Sequence, residues 1–294
     1  MMLREATGQR WLDEQVQAAL AEDLGDRGDI TCAATVPEGK LGAAELVVKA
    51  DGVLCGIDWA IRCGELTTPA VTWKFIVEDG AHVKPGDVVA HVEGPLVGIL
   101  ISERTALNGL GRLSGIATMA SNAAKLVEGT SAVVIDTRKT TPGWRLAEKY
   151  AVRCGGGGNH RIGLYDEILI KENHIESAGG IEAAIHGAFA WREAESSRSG
   201  TPIEVEVRDI EEFRKAFALA PDRILLDNFA PEALRESVEI AAGGVTLEAS
   251  GGITLANLAE VAATGVDRIS LGALTHSIIP LDLSLLVRGI EQGC

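Results

Sequence analysis

Residues 202–271 read PIEVEVRDIEEFRKAFALAPDRILLDNFAPEALRESVEIAAGGVTLEASGGITLANLAEVAATGVDRISL. Four apolar runs stand in this stretch, PIEVEV, RILLD, VTLEAS and DRISL, centred near 205, 225, 247 and 269 and so about 20 to 22 residues apart. Segments of helical spacing, IEEFRKAFALA and PEALRESVEIAA, separate them. Strands of Val, Ile and Leu alternating with amphipathic helices predict right-handed βα units and a parallel sheet. Towards the N-terminus, SAVVID near 134 and EILIK near 169 extend the series to six. Six units in about 165 residues favour a closed or nearly closed barrel over an open sheet, and a short strand at 151–154 would make seven.

Each run ends in residues that are unusual at the edge of a core. SAVVID leads into Thr137, Arg138 and Lys139; EILIK ends at Lys171; PIEVEV carries Glu204 and Glu206. RILLD ends at Asp227 and Asn228, VTLEAS at Ser250, Gly251 and Gly252, and DRISL at Gly272 and Ala273. In a β/α barrel these ends converge on one face, where such enzymes carry out their chemistry. SGGIT and LGALT place glycine between a strand and the next helix, so bare backbone N–H groups can approach a phosphate closely.

Between 135 and 175 the chain reads IDTRKTTPGWRLAEKYAVRCGGGGNHRIGLYDEILIKENHI. From Arg138 to His174 there are seven Lys and Arg and four Asp and Glu, a local +3 inside a chain of formal net charge -15. Such an island is a candidate anion site. Arg145, Lys149 and Arg153 fall at helical spacing and count for little; Arg138, Lys139, Arg161 and Lys171 are its working cations. Lys171 has two readings. Buried, with a lowered pKa, it forms a Schiff base; facing an anion, it stays charged. Nearby His160 and Arg161 favour the second. Glu206 and Asp227 would oppose an anion unless Mg²⁺ or ribose hydroxyls lay between. The glycines of GGGGNHR single out His160 over His174, and Trp144, Tyr150 and Tyr165 are read as packing.

The N-terminal half has a different texture. WLDEQVQAALAEDL predicts a helix over 11–24, and GVLCGIDWA, VTWKFIVEDG and AHVKPGDVVAHVEG read as β-type runs joined as hairpins at EDG and KPGD. The piece VEDGAHVKPGDVVAHVEG is similar to half of a lipoyl- or biotinyl-carrier hammerhead, but Lys84 stands beside Pro85 and Gly86 inside a turn, so it is read as a sandwich wall without a cofactor. A long helix over 99–126 follows, in which Gly109, Gly111, Ser114 and Gly115 predict a break or close packing against another backbone. The net charge of -15 opposes a nucleic-acid or anionic-membrane surface. No run of eighteen apolar residues exists to span a membrane. Cys32, Cys55, Cys63, Cys154 and Cys294 form no CxxC pair, and with no charged-then-apolar leader they read as reduced thiols of a cytoplasmic protein.

Taken together, DTRKTTPGWR, GGGGNHRIGLYDEILIKENHI, IEVEV, LLDN, EASGGIT and GVDRISLGALTHS, with ISERTALNGLGRLSGIAT upstream, resemble the motif set of the quinolinate phosphoribosyltransferase family, in order and spacing, over about residues 20 to 290. Trp144 stands where the family pattern has an aliphatic residue. The resemblance implies an N-terminal α/β sandwich domain over 1–115, onto which 280–294 pack back, and an incomplete seven-stranded α/β barrel over 116–279. It implies a homodimer, or a hexamer of dimers. Quinolinate and 5-phosphoribosyl-1-pyrophosphate would meet Thr137, Arg138, Lys139, His160, Arg161 and Lys171, with Arg104 reaching across from a neighbouring subunit. Lys139, Lys171, Glu206 and Asp227 would serve the chemistry. Glu206 and Asp227 would hold Mg²⁺, directly or through water, or the ribose hydroxyls; Ser250, Gly251, Gly252, Gly272 and Ala273 would hold the 5-phosphate. No prosthetic group is required. The alternatives are a related phosphoribosyltransferase with another acceptor and a Schiff-base barrel lyase using Lys171.

Overall fold

The structure, a computed structural model, describes residues 2–291; Cys294 and the last residues of the 280–294 tail lie outside them. The chain forms two compact units, one from the N-terminal segment to Ser121, Leu146–Gly156 and the chain from Ile278 on, the other from Asn122–Arg145 and Gly157–Ser277. The first unit holds strands β1 (Leu41–Val48), β2 (Gly52–Val53), β3 (Thr72–Phe75), β4 (His82–Val83) and β5 (Val88–Pro95). The second holds β6 (Val133–Ile135), β7 (Ile168–Ile170), β8 (Ile203–Val207), β9 (Arg223–Asp227), β10 (Thr246–Ser250) and β11 (Arg268–Ser270); β12 (Leu283–Glu291) returns to the first.

In the first unit an antiparallel sheet runs β12-β1-β5-β3, and β2 pairs with β4 apart from it. The hairpins expected at KPGD do not form as such: the turn joins β4 to β5, which are not neighbours. Lys84 lies exposed in that turn, closed by its own N–H on Asp87 Oδ2 at 2.8 Å. GVLCGIDWA is strand only at β2. It then enters the helix Ile57–Leu66, because Asp79 Oδ1 accepts the amides of Gly56 and Ile57 at 2.9 and 3.1 Å and satisfies the first turn. Tyr150 Oη donates to the other oxygen of Asp79 at 2.7 Å, and the buried Glu148 accepts from Arg112 Nη2 at 2.5 Å. These bonds place 146–156, assigned from the sequence to the barrel, in the first unit.

The long helix Leu96–Leu126 is unbroken. Its glycines serve approach rather than interruption: the indole of Trp59 occupies the space a Cβ on Gly109 would take, and the Ile279 carbonyl does so at Gly115. Trp59 Nε1 also donates to the Thr105 carbonyl at 2.8 Å, so the ring cannot move aside without losing a bond.

The second unit is a parallel sheet of order β6-β11-β10-β9-β8-β7 with helices between successive strands, an incomplete barrel. It has six strands rather than seven. Residues 151–154 belong to the helix Arg145–Cys154, whose apolar Ala147, Tyr150 and Ala151 recur at helical spacing; a single parallel bridge from Gly158 to Ile135 stands beside β6 instead. The period of two puts Glu204 and Glu206 on one face of β8, Leu225 and Asp227 on one face of β9, and Glu248 and Ser250 on one face of β10. Buried beneath the strand ends, Glu248 lies 3.3 Å from Arg268 Nε and Glu167 pairs with Arg223. Burial, and then the charges of Glu248 and Glu167, hold Glu204 well above the usual carboxylate range; burial pushes Glu248 up to about 6.

Two measurements follow from this packing. Gly109→Ala gains about 1 kcal/mol of helix propensity but overpacks against Trp59 by about 1–3 kcal/mol and strains its hydrogen bond, so its thermal midpoint is expected below that of the parent. A carboxyl raised from 4.5 to about 6 gives stability that is full at low pH and lost as pH rises through 6. That loss is on the order of 2 kcal/mol, so the fall in thermal midpoint between about pH 5 and 7.5 should be smaller in Glu248→Gln.

Candidate active site

A pocket of about 530 Å³ opens at the C-terminal ends of the parallel strands, every lining residue lying in the second unit. Eleven of the sequence candidates surround it: Thr137, Arg138 and Lys139 after β6; His160 and Arg161; Lys171 after β7; Glu206; Asp227; and Ser250, Gly251 and Gly252 after β10. Gly272 and Ala273 begin a four-residue helix after β11 and do not line it, although a Cβ on Gly272 would meet Lys139 Cδ at 3.2 Å. Arg104 lies in the other unit, exposed on the helix Leu96–Leu126, in a separate depression with Asp282 and Leu283.

The loops that carry the cations are anchored by groups outside the candidate set. Asp136, fully buried at the end of β6, accepts the backbone N–H of His160 at 2.9 Å and the Asn159 amide at 2.6 Å. Arg145 donates to Thr140 Oγ1 and to the Ile162 carbonyl, both at 3.0 Å, so it joins the 137–140 loop to the 160–162 segment instead of counting for little. Thr275 Oγ1 donates to the Lys139 carbonyl at 2.8 Å. Asp166 accepts the amides of Ile162 and Gly163 at 2.7 and 2.8 Å; the loop it closes leaves Tyr165 79% exposed, so that ring is not packing.

Within the pocket, Arg161 is buried and donates through Nη1 to the Glu167 carbonyl at 3.1 Å. Burial, and after it the neighbouring Arg138 guanidinium, pull its ionisation below the ordinary value. The Nε atoms of Arg138 and Arg161 are buried without an acceptor. Like charges side by side with unused donors favour an anion between or above them.

His160 has a defined tautomer. Its Nδ1 accepts the Arg161 amide at 2.6 Å, so the ring proton sits on Nε2, which lies 3.3 Å from Glu204 Oε2 and 3.5 Å from Glu248 Oε1. These three buried side chains are close enough to ligate one metal ion, but a metal needs the Nε2 lone pair that this tautomer does not present. His174 sits outside the pocket, its Nδ1 accepting the Lys171 amide at 2.9 Å at a helix start.

Lys171 ion-pairs with Glu206, and its side chain is 45% exposed. A Schiff-base lysine is activated by desolvation, and this one is neither desolvated nor unpaired. The pairing also answers the expected conflict of Glu206 with an anion, since Lys171 offsets its charge. Glu248, Ser270, Leu169 and Leu225 line the pocket without having been singled out, and Asn228, noted at a strand end, lines it without having been given a role. Period-two counting back from Ser250 points to Glu248, and Asn228 follows a strand end directly; the others carry no local signal.

The quinolinate phosphoribosyl transferase N-terminal domain family matches residues 29–114 and its C-terminal domain family residues 116–286. A probable nicotinate-nucleotide pyrophosphorylase [carboxylating] of Bacillus subtilis (strain 168) is 41% identical over 277 residues, covering 93% of each chain. A mitochondrial quinolinate phosphoribosyltransferase [decarboxylating] of Nicotiana glauca is 40% identical over 94% of this chain and 82% of its own. The solved structure of the nicotinate-nucleotide pyrophosphorylase from Francisella tularensis superposes with a TM-score of 0.89 at 40% identity, covering 95% of this chain and 96% of that one. With both domain families matched in order along nearly the whole chain, this protein belongs to the quinolinate phosphoribosyltransferase family.

Proposed function

We propose that the chain transfers the phosphoribosyl group of 5-phosphoribosyl-1-pyrophosphate to quinolinate, with decarboxylation, giving nicotinate mononucleotide, pyrophosphate and CO₂ in NAD biosynthesis. The guanidinium pair of Arg138 and Arg161, facing one pocket with unused buried donors, supports this most directly. Two adjacent cations suit an acceptor with two neighbouring carboxylates better than one with a single carboxylate. Each charge-assisted hydrogen bond there contributes about 1.5–3 kcal/mol.

In this reading Arg138, Arg161, His160 and Lys171 hold the quinolinate carboxylates, and Thr137 and Lys139 border the donor. Ser250, Gly251 and Gly252 present backbone N–H groups to the 5-phosphate, whereas Gly272 and Ala273, expected to share that role, lie outside the pocket lining. The ring nitrogen forms a bond to ribose C1 as the C1–O bond breaks and its electron pair leaves on pyrophosphate; fixed charges steady the oxocarbenium-like state. The ribosylated ring is cationic. When the adjacent carboxylate leaves as CO₂, its electron pair stays on the ring carbon beside that positive nitrogen, and the carbon then takes a proton.

Glu206 and Asp227 lie at the ends of neighbouring strands and both line the pocket, an oxygen donor set that suits a hard cation. They would hold Mg²⁺, through water or directly, or the ribose hydroxyls; a bound ion would supply charge neutralisation at the pyrophosphate. We further propose a homodimer, or a hexamer of dimers, in which Arg104 of the partner subunit completes each pocket. Among the described residues no helix is long and apolar enough to cross a membrane, and Cys32, Cys55, Cys63 and Cys154 are free thiols. Both accord with a cytoplasmic enzyme.

The direct test supplies quinolinate, 5-phosphoribosyl-1-pyrophosphate and Mg²⁺ and measures nicotinate mononucleotide with CO₂; equal turnover of nicotinate would overturn the acceptor assignment. Arg161→Ala should raise KM for quinolinate at least about tenfold, by the loss of one charged hydrogen bond, with the donor KM within about twofold. Arg104→Ala should abolish turnover with the protomer folded, and mixing it with Arg138→Ala should restore part of the activity in heterodimers. No recovery on mixing rules out a shared site.

A further inference from the structure

Asn228 takes no part in the chemistry above, yet its backbone and its side chain together tie an acidic residue to a glycine turn. It stands at φ 57°, in the left-handed region, which glycine adopts freely and which asparagine, with its short polar side chain, enters more readily than most other residues. Its amide N–H donates to the Ser250 carbonyl at 2.8 Å, carrying the β9–β10 pairing one residue past Asp227 and Ser250. The side chain then makes two contacts at once. Nδ2 donates to Asp227 Oδ2 at 2.9 Å. The carboxamide packs against Gly251, filling the space a Cβ there would need, and its Oδ1 would be 3.8 Å from a Cβ on Gly252. One amide group thus sits between an acidic residue and the glycine turn of the same pocket, which Asn228 itself lines.

We propose that Asn228 is a positioning residue for the phosphoribosyl donor. Its N–H orients the Asp227 carboxylate towards the ribose hydroxyls, and its amide plane sets where the turn at 250–252 presents its backbone to the 5-phosphate. The inference rests on the donor's placement at Asp227 and this turn. A side chain that only tolerated the turn would need neither contact.

Steady-state kinetics of the full chain separate these possibilities, using Asn228→Gly, Asn228→Asp and Asp227→Ala. Glycine accepts the left-handed backbone freely, so Asn228→Gly should keep or raise the thermal midpoint. Its donor KM should rise about tenfold or more, the usual weight of a hydrogen bond to a charged group, while KM for quinolinate stays within about twofold. Aspartate also tolerates this backbone, but it puts a second carboxylate beside Asp227 and should lose at least as much. Wild-type donor KM in both Asn228 variants, with Asp227→Ala impaired, overturns the role of Asn228 alone. Unchanged donor KM in Asp227→Ala overturns the placement of the donor, and the proposal with it.

Discussion

Arg138 and Arg161 come from separate loops and repel one another, and most of the second unit's polar structure at the strand ends is occupied in holding them together. The carboxylates among the holding groups, Asp136 and Asp166, accept from neutral amides rather than from the guanidinium pair. Arg161 is fixed by a backbone carbonyl, residues 159 and 160 by the Asn159 side-chain amide and the His160 N–H on Asp136, and the 137–140 loop by Arg145 and by the hydroxyl of Thr275. A carbonyl dipole fixes position without neutralising a guanidinium, so the attraction of the pair remains available to an incoming anion.

Beneath the pair the barrel interior is ionic rather than aliphatic. Glu167, Glu204 and Glu248 face Arg223 and Arg268, with His160 between this layer and the pocket. If Glu204 and Glu248 were readily ionised they would draw the cations above them downward. Burial disfavours their charged forms, which lowers that competition. Burial beneath the pocket thus works in favour of the cations above, most strongly at Glu204.

Much of this was legible in the chain. Runs with a spacing of about 20 residues and apolar alternation located the strands, since both signals are local. The residues just after those runs surround the pocket because a parallel sheet puts every strand's C-terminal end on one side. Failures came where two periods fit. AVRC at 151–154 and GVLCGIDWA are apolar enough for strand, and only partners distant in sequence, Asp79 for both segments, decide for helix. The glycines at 109 and 115 left break and close contact equally open until the Trp59 ring and the Ile279 carbonyl were placed against them. Asn228 was legible as a strand-end residue but not in its role, which lies in a backbone angle and in a glycine more than twenty residues away.

The path of the chain between the units has a consequence for how the protein can be divided. The chain passes from one unit to the other four times, at 121, 145, 156 and 277. No single cut yields two pieces that each contain a whole unit. A break near 115, where two domain families meet in the sequence, would strip the first unit of the segment bearing Glu148 and Tyr150 and of the strand β12 that pairs with β1. The two halves are therefore not interchangeable cassettes, and exchange between relatives has to move three stretches for the first unit or two for the second.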